Sequence, residues 1–93
     1  MTEKIAMQEM ICALYRQIAA LRDADECRML FDDLCTNKEI EQMAQRLQAA
    51  KLLSQGNTYQ QVINATDISS ATLSRVSRCV QYGTGYSSLL VRE

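Results

Sequence analysis

The sequence has no histidine and no proline, and its three glycines all fall at or after Gly56. Each absence excludes something. Without histidine, and with Cys12, Cys27, Cys35 and Cys79 lacking any CxxC spacing, there is no metal-binding knuckle, and a lone cysteine nucleophile has no customary base. A glycine-rich phosphate loop and paired acids in an obvious pocket are also missing, so an enzyme is not expected and no cofactor is implied. The four cysteines are expected to be reduced, mostly buried thiols inside helical patterns. With no proline, and no glycine in the first half, the punctuation that strands and hairpins need is lacking, so helices should dominate. No apolar run approaches a membrane span, and the amino terminus lacks the charged-then-apolar pattern of a signal peptide. A cytoplasmic protein with no membrane partner is expected.

The formal charge of −1 is unevenly spread. Residues 1–35 hold four basic and seven acidic side chains, net −3, whereas residues 36–93 hold six basic and four acidic ones, net +2. The excess in the second half is modest, so unspecific binding to nucleic acid should be weak. Ninety-three residues suffice for one small domain, near the size at which a partner subunit often completes the core, so a homodimer is expected.

Met7, Ile11, Leu14, Ile18 and Leu21 alternate at spacings of four and three, an apolar seam on a first helix that suits either ordinary core packing or a subunit interface. Asp23 and Glu26 have capping-box spacing and should open a second helix, with Cys27, Leu30, Phe31 and Leu34 as its buried face. Thr36 and Glu39 repeat the device. Ile40, Met43, Ala44 and Leu47 then mark a third helix, running to about Ser54 before Gly56 stops it, and Thr58 with Gln61 opens a fourth. The chain is read as one domain over 1–93, with dimerisation helices in 1–35, a helix-turn-helix region in 36–83, and a flexible tail or short frayed helix in 84–93.

The informative stretch is Thr58 to Val80, TYQQVINATDISSATLSRVSRCV. A short helix should end near Thr66, turn at Asp67–Ile68 and restart at Ser69 or Ser70, which is helix-turn-helix spacing. Val62, Ile68, Leu73 and Val76 should point inward. Ser69, Ser70, Ala71, Ser74, Arg75 and Arg78 form the free outer face of the second helix. Its small first residues allow close approach to a major groove, its free amides favour a phosphate, and the arginines reach a guanine edge or a phosphate. Gln60 is a further candidate phosphate contact. Asp67 stands where such turns usually have glycine, a mild departure because Asp tolerates the left-handed conformation. Ile63 stands where the first helix usually has a small residue. A helical hairpin that packs this way without touching DNA would leave the same pattern.

The segments FDDLCTNKEI, MAQRLQAAKLLSQGNTYQQV and ISSATLSRVSRCVQYG occur in the order and spacing of the Trp repressor superfamily, and the chain most resembles its TrpR-like YerC/YecD group from about Ile11 to Tyr86. The resemblance implies an all-α, Trp repressor-like domain. It also implies that two chains intertwine through their amino-terminal helices, that two reading heads face successive major grooves of double-stranded DNA, and that regulation is of repressor type. In the tryptophan-sensing member a threonine and two arginines hold the corepressor, and the matching positions here are Thr36, Arg46 and Arg75. A glycine there leaves room for the indole, whereas this chain has Val76, and Cys79 replaces a serine. These differences argue against tryptophan itself and leave a smaller amino-acid-like effector, or none. A helical protein adaptor, suggested by the acidic first half, and a metabolite sensor using Thr36, Arg46 and Arg75 are the competing readings.

Overall fold

The computed structural model describes residues 3–90. Among them are six α-helices and no strand: α1 (Met7–Ala19), α2 (Ala24–Leu34), α3 (Asn37–Ser54), α4 (Tyr59–Thr66), α5 (Ser70–Tyr82) and α6 (Gly85–Leu89). The chain divides into two compact units, Met1–Thr36 and Asn37–Glu93.

In the amino-terminal unit, neither α1 nor α2 buries a single side chain. The seam of α1 stays open, with Met7 66% and Leu14 38% exposed, while Ile11 and Ile18 are half-buried. Leu21 lies beyond the last helical residue, its N–H donating to the Ile18 carbonyl at 3.1 Å. The expected buried face of α2 is corrected here. Leu30 and Phe31 are half-buried, but Cys27 is exposed and Leu34 is 51% exposed. The expectation of mostly buried thiols also fails, since Cys12 and Cys27 in this unit and Cys79 on α5 are exposed and Cys35 is half-buried, all four as free thiols. Two short helices cannot enclose a side chain from all sides, so periodicity alone overstated burial in this unit.

The α2 start differs in detail from the expected capping box. The Asp23 carboxylate accepts from the Glu26 N–H at 2.9 Å, as the spacing predicts. The Glu26 carboxylate instead accepts from the Arg22 backbone N–H at 2.8 Å and from the Arg22 guanidinium at 2.9 and 2.6 Å. Those hydrogen bonds, the side-chain ones first, hold its carboxyl below the ordinary value of 4.5.

The carboxy-terminal unit contains the core. Ala49 and Ala50 of α3, Val62 of α4, Ile68 of the turn, and Leu73 and Val76 of α5 form one buried cluster. The four residues expected to point inward are all in it, at 4% exposure or less. Burying each of the larger side chains stabilises the fold by about 1.5–3 kcal/mol. The small alanines let α4 and α5 both pack against α3, and α5 also packs against α4 and α6. The α3 carbonyls end in a Schellman arrangement. Gly56 adopts φ +90°, its N–H reaches the Leu53 carbonyl at 3.0 Å, and the Asn57 N–H reaches that of Leu52 at 3.1 Å. The α3 stretch from Ile40 is covered only in part, with Leu47 45% exposed. Residues 85–89 of the segment read as a flexible tail or frayed helix form α6, and 91–93 lie outside the described residues.

Candidate nucleic-acid interface

The helix pair α4 and α5 is fixed by local chemistry at each end. Thr58 caps α4 in a complete capping box. Its hydroxyl accepts from the Gln61 N–H at 3.2 Å, and the Gln61 side-chain oxygen accepts from the Thr58 N–H at 2.8 Å. At the other end Asp67 takes the left-handed conformation, φ 59° and ψ 18°, and its N–H bonds to the Ile63 carbonyl. The Thr66 hydroxyl donates to the Val62 carbonyl at 2.7 Å and accepts from the Ile68 N–H at 3.3 Å, closing the turn from inside. The Gln45 amide of α3 donates to the Thr66 carbonyl at 3.1 Å, so the last turn of α4 is tied to the supporting helix. Ile68 is thereby driven into the core, and Ser69 begins the next helix as its N-cap.

Every residue expected on the outer face of the second helix is exposed: Ser69, Ser70, Ala71, Ser74, Arg75 and Arg78. The Ser69 hydroxyl is already engaged, accepting from the Thr72 N–H at 3.3 Å and donating to the Thr72 hydroxyl at 2.9 Å. Its first duty is therefore capping. Gln60 is exposed on α4, where its amide donates to the Asn64 side chain at 2.8 Å. Among the described residues, Arg46, Arg75 and Arg78 make no hydrogen bond and no ion pair, so three cations of this unit face solvent unneutralised.

Two of the expected effector positions meet. Arg46 and Arg75 line one surface cleft of about 520 Å³, together with Ala71, Thr72, Val76 and Tyr86. Val76 is 2% exposed and belongs to the core, so the valine expected to limit the space is a fixed wall. Thr36 immediately precedes α3 and falls in the amino-terminal unit. Tyr86 and Thr72 were not singled out by sequence. The signal for Tyr86 was its four-residue spacing to Leu90, since both pack against the core as one face of a helical turn.

The arrangement defines an all-helical helix-turn-helix domain. More narrowly, the chain belongs to the Trp repressor family, whose model, described as Trp repressor protein, matches residues 9–93. It is 50% identical over 70 residues to the uncharacterized protein YerC of Bacillus subtilis, covering 75% of this chain and 67% of that protein. It is also similar to a solved structure of a candidate Trp repressor from Staphylococcus aureus, at 37% identity and a TM-score of 0.82, covering 94% of this chain and 92% of that one. A TrpR-like protein from Eubacterium eligens gives 35% identity and a TM-score of 0.81 over 90% of this chain and 94% of its own. Among the described residues no group of side chains could hold a metal ion, and no helix is long and apolar enough to cross a membrane.

Proposed function

We propose that this protein is a sequence-specific DNA-binding transcriptional regulator of repressor type, acting as a cytoplasmic homodimer and not as an enzyme. The observation that carries the reading is the outer face of α5. It begins with three small residues, Ser69, Ser70 and Ala71, continues through Ser74, Arg75 and Arg78, and is wholly exposed on a helix whose opposite side is core. A helix of 13 residues is about 20 Å long and fits a major groove about 12 Å wide. The unpaired guanidinium groups of Arg75 and Arg78 supply reach to base edges and phosphates. The open seam of α1 offers an apolar surface for a second copy, and a dimer presents two such helices to a palindromic site.

Tryptophan is not the expected corepressor. Val76, fixed in the core, stands beside Arg46 and Arg75 where the tryptophan-sensing member has glycine, so a smaller amino-acid-like effector, or none, fits the reading better.

Selection of bound sequences from random duplex DNA, with and without small metabolites, tests the proposal. An enriched palindrome without additives supports an autonomous dimer, and one that needs metabolites supports an effector. No enrichment in either arm overturns the DNA reading and favours a protein adaptor. Within the enriched site, Arg78→Ala is expected to weaken all sequences alike and to reduce the salt slope by about one. Arg75→Ala is expected to cost about 1–3 kcal/mol at one base pair, and equal losses at every base would contradict a base-reading Arg75.

A further inference from the structure

Tyr82 ends α5 and is 82% exposed, more than any other large hydrophobic side chain among the described residues. It makes no hydrogen bond among those residues, so ring and hydroxyl are both presented to solvent. Single exposed apolar side chains are ordinary on protein surfaces; the register of this one is not. Ala71, Arg75, Arg78 and Tyr82 follow one another at spacings of four, three and four, so they share one exposed stripe of α5, opposite the buried Leu73, Val76 and Ser77.

The stripe is electropositive. α5 carries no acidic residue, and Arg75 and Arg78 have neither a hydrogen bond nor an ion pair among the described residues. That charge selects a polyanion over a second copy of the same surface, since two such stripes face to face would bring unneutralised guanidinium groups together. At about 1.5 Å per residue, Tyr82 stands about 16 Å along the axis from Ala71, whereas the major groove is about 12 Å wide. With the small residues that open α5 at the base edges, Tyr82 falls beyond the groove, at its sugar–phosphate wall.

That end of α5 is the negative pole of the helix, and its last turn holds no basic residue. Gln81, also exposed in that turn, is engaged with the Ser77 hydroxyl at 3.3 Å. The Tyr82 hydroxyl is thus the free donor there. Gly83 follows at once, its N–H returning to the Cys79 carbonyl at 2.9 Å, and a Cβ at Gly83 would lie 2.6 Å from that oxygen. The chain turns back at this point, and the exposure of Tyr82 shows that the returning segment leaves the end of the stripe uncovered.

We propose that Tyr82 is a DNA-backbone contact, its hydroxyl donating to a phosphate oxygen at the edge of the groove that α5 reads. It is an uncharged clamp that fixes how far the helix enters. The proposal rests on the DNA-binding function put forward above and adds to it a contact that does not depend on charge.

The test measures binding to a selected duplex by fluorescence anisotropy across a salt series, with Arg78→Ala as the reference. Tyr82→Phe removes only the hydroxyl and is expected to weaken specific and unrelated duplexes alike, by at least about tenfold, with the salt slope unchanged because an uncharged donor displaces no counterion. Tyr82→Ala should lose as much or more. Tyr82→Lys should regain affinity at low salt and steepen the slope, the reverse of Arg78→Ala. Ethylation of one flanking phosphate in each half-site should interfere with binding of the native protein and cease to matter in Tyr82→Phe. Native-like binding by Tyr82→Phe and Tyr82→Ala beside a weakened Arg78→Ala overturns the proposal and leaves the DNA reading standing. A changed oligomeric state of Tyr82→Ala in sedimentation without DNA also overturns it, assigning the residue to subunit association. If the native protein binds no duplex, the DNA reading fails and this contact fails with it.

Discussion

The turn between α4 and α5 depends on one residue with positive φ, and substituting it separates backbone from side-chain effects. Asp67 sits at φ 59° and ψ 18°, exposed, with no hydrogen bond from its side chain among the described residues. For an ordinary L-residue this conformation costs roughly 1–2 kcal/mol, a penalty that Asp and Asn largely escape and Gly does not incur. Asp67→Ala should therefore lose about 1 kcal/mol and lower the melting temperature by about 4–8 °C. Asp67→Val, with its branched Cβ, should lose about 2 kcal/mol. Asp67→Gly removes what little steric penalty Asp retains and adds about 0.4–1 kcal/mol of unfolded-state entropy, so it should fall below the native protein but lose less than Asp67→Ala. Because Asp67 lies just ahead of the positive end of α5, its charge could contribute about 0.3–1 kcal/mol, and Asp67→Asn isolates that part. Urea unfolding followed by far-UV circular dichroism gives all four numbers. If Asp67→Gly falls as far as Asp67→Ala while Asp67→Asn holds, the side chain and not the backbone sets the turn, and the reasoning is refuted.

Leu73 is fully buried at the centre of the core, so Leu73→Ala should cost about 2.7–5.0 kcal/mol in urea unfolding, and a loss under about 1 kcal/mol would show that the site collapses around the cavity. Gly83→Ala should shift α6 and uncover Tyr86, because its Cβ would meet the Cys79 carbonyl; hydrogen exchange confined to residues 83–90 is the expected signature, and an unchanged pattern counts against a fixed return there. Glu26 should titrate below 4.5 by carbon-13 NMR. A carboxylate whose folded value is lowered contributes stability above its unfolded value and loses it as pH falls through the folded one. The helicity of α2 should thus weaken in acid, less so in Glu26→Gln, and titration of Glu26 at or above 4.5 would contradict the Arg22 cap.

The helix-turn-helix was legible because its determinants are local. The Thr58–Gln61 capping box, the left-handed Asp67 and the inward Val62, Ile68, Leu73 and Val76 each follow from residue type and spacing within a few positions. The reciprocal box at Asp23 was misread in part because Glu26 had a second partner one residue earlier, and Arg22 supplied both an N–H and a guanidinium. Burial in α1 and α2 was overestimated because periodicity shows which side is apolar but not what covers it. The place of Tyr86 beside the cleft was hidden by its setting. A stretch with two glycines and three Ser or Thr residues from Gly83 to Ser88 reads as loop, and only packing against α5 makes it a helix. The tie from Gln45 to Thr66 joins residues 21 positions apart, a distance at which spacing rules say nothing.

Among the described residues, every buried side chain belongs to positions 49 to 77, and none to α1 or α2. Mutational tolerance should divide along the same line. Substitutions on the α1 seam should therefore act mainly on the association proposed above, and substitutions at positions 49 to 77 on the packing that aims α5.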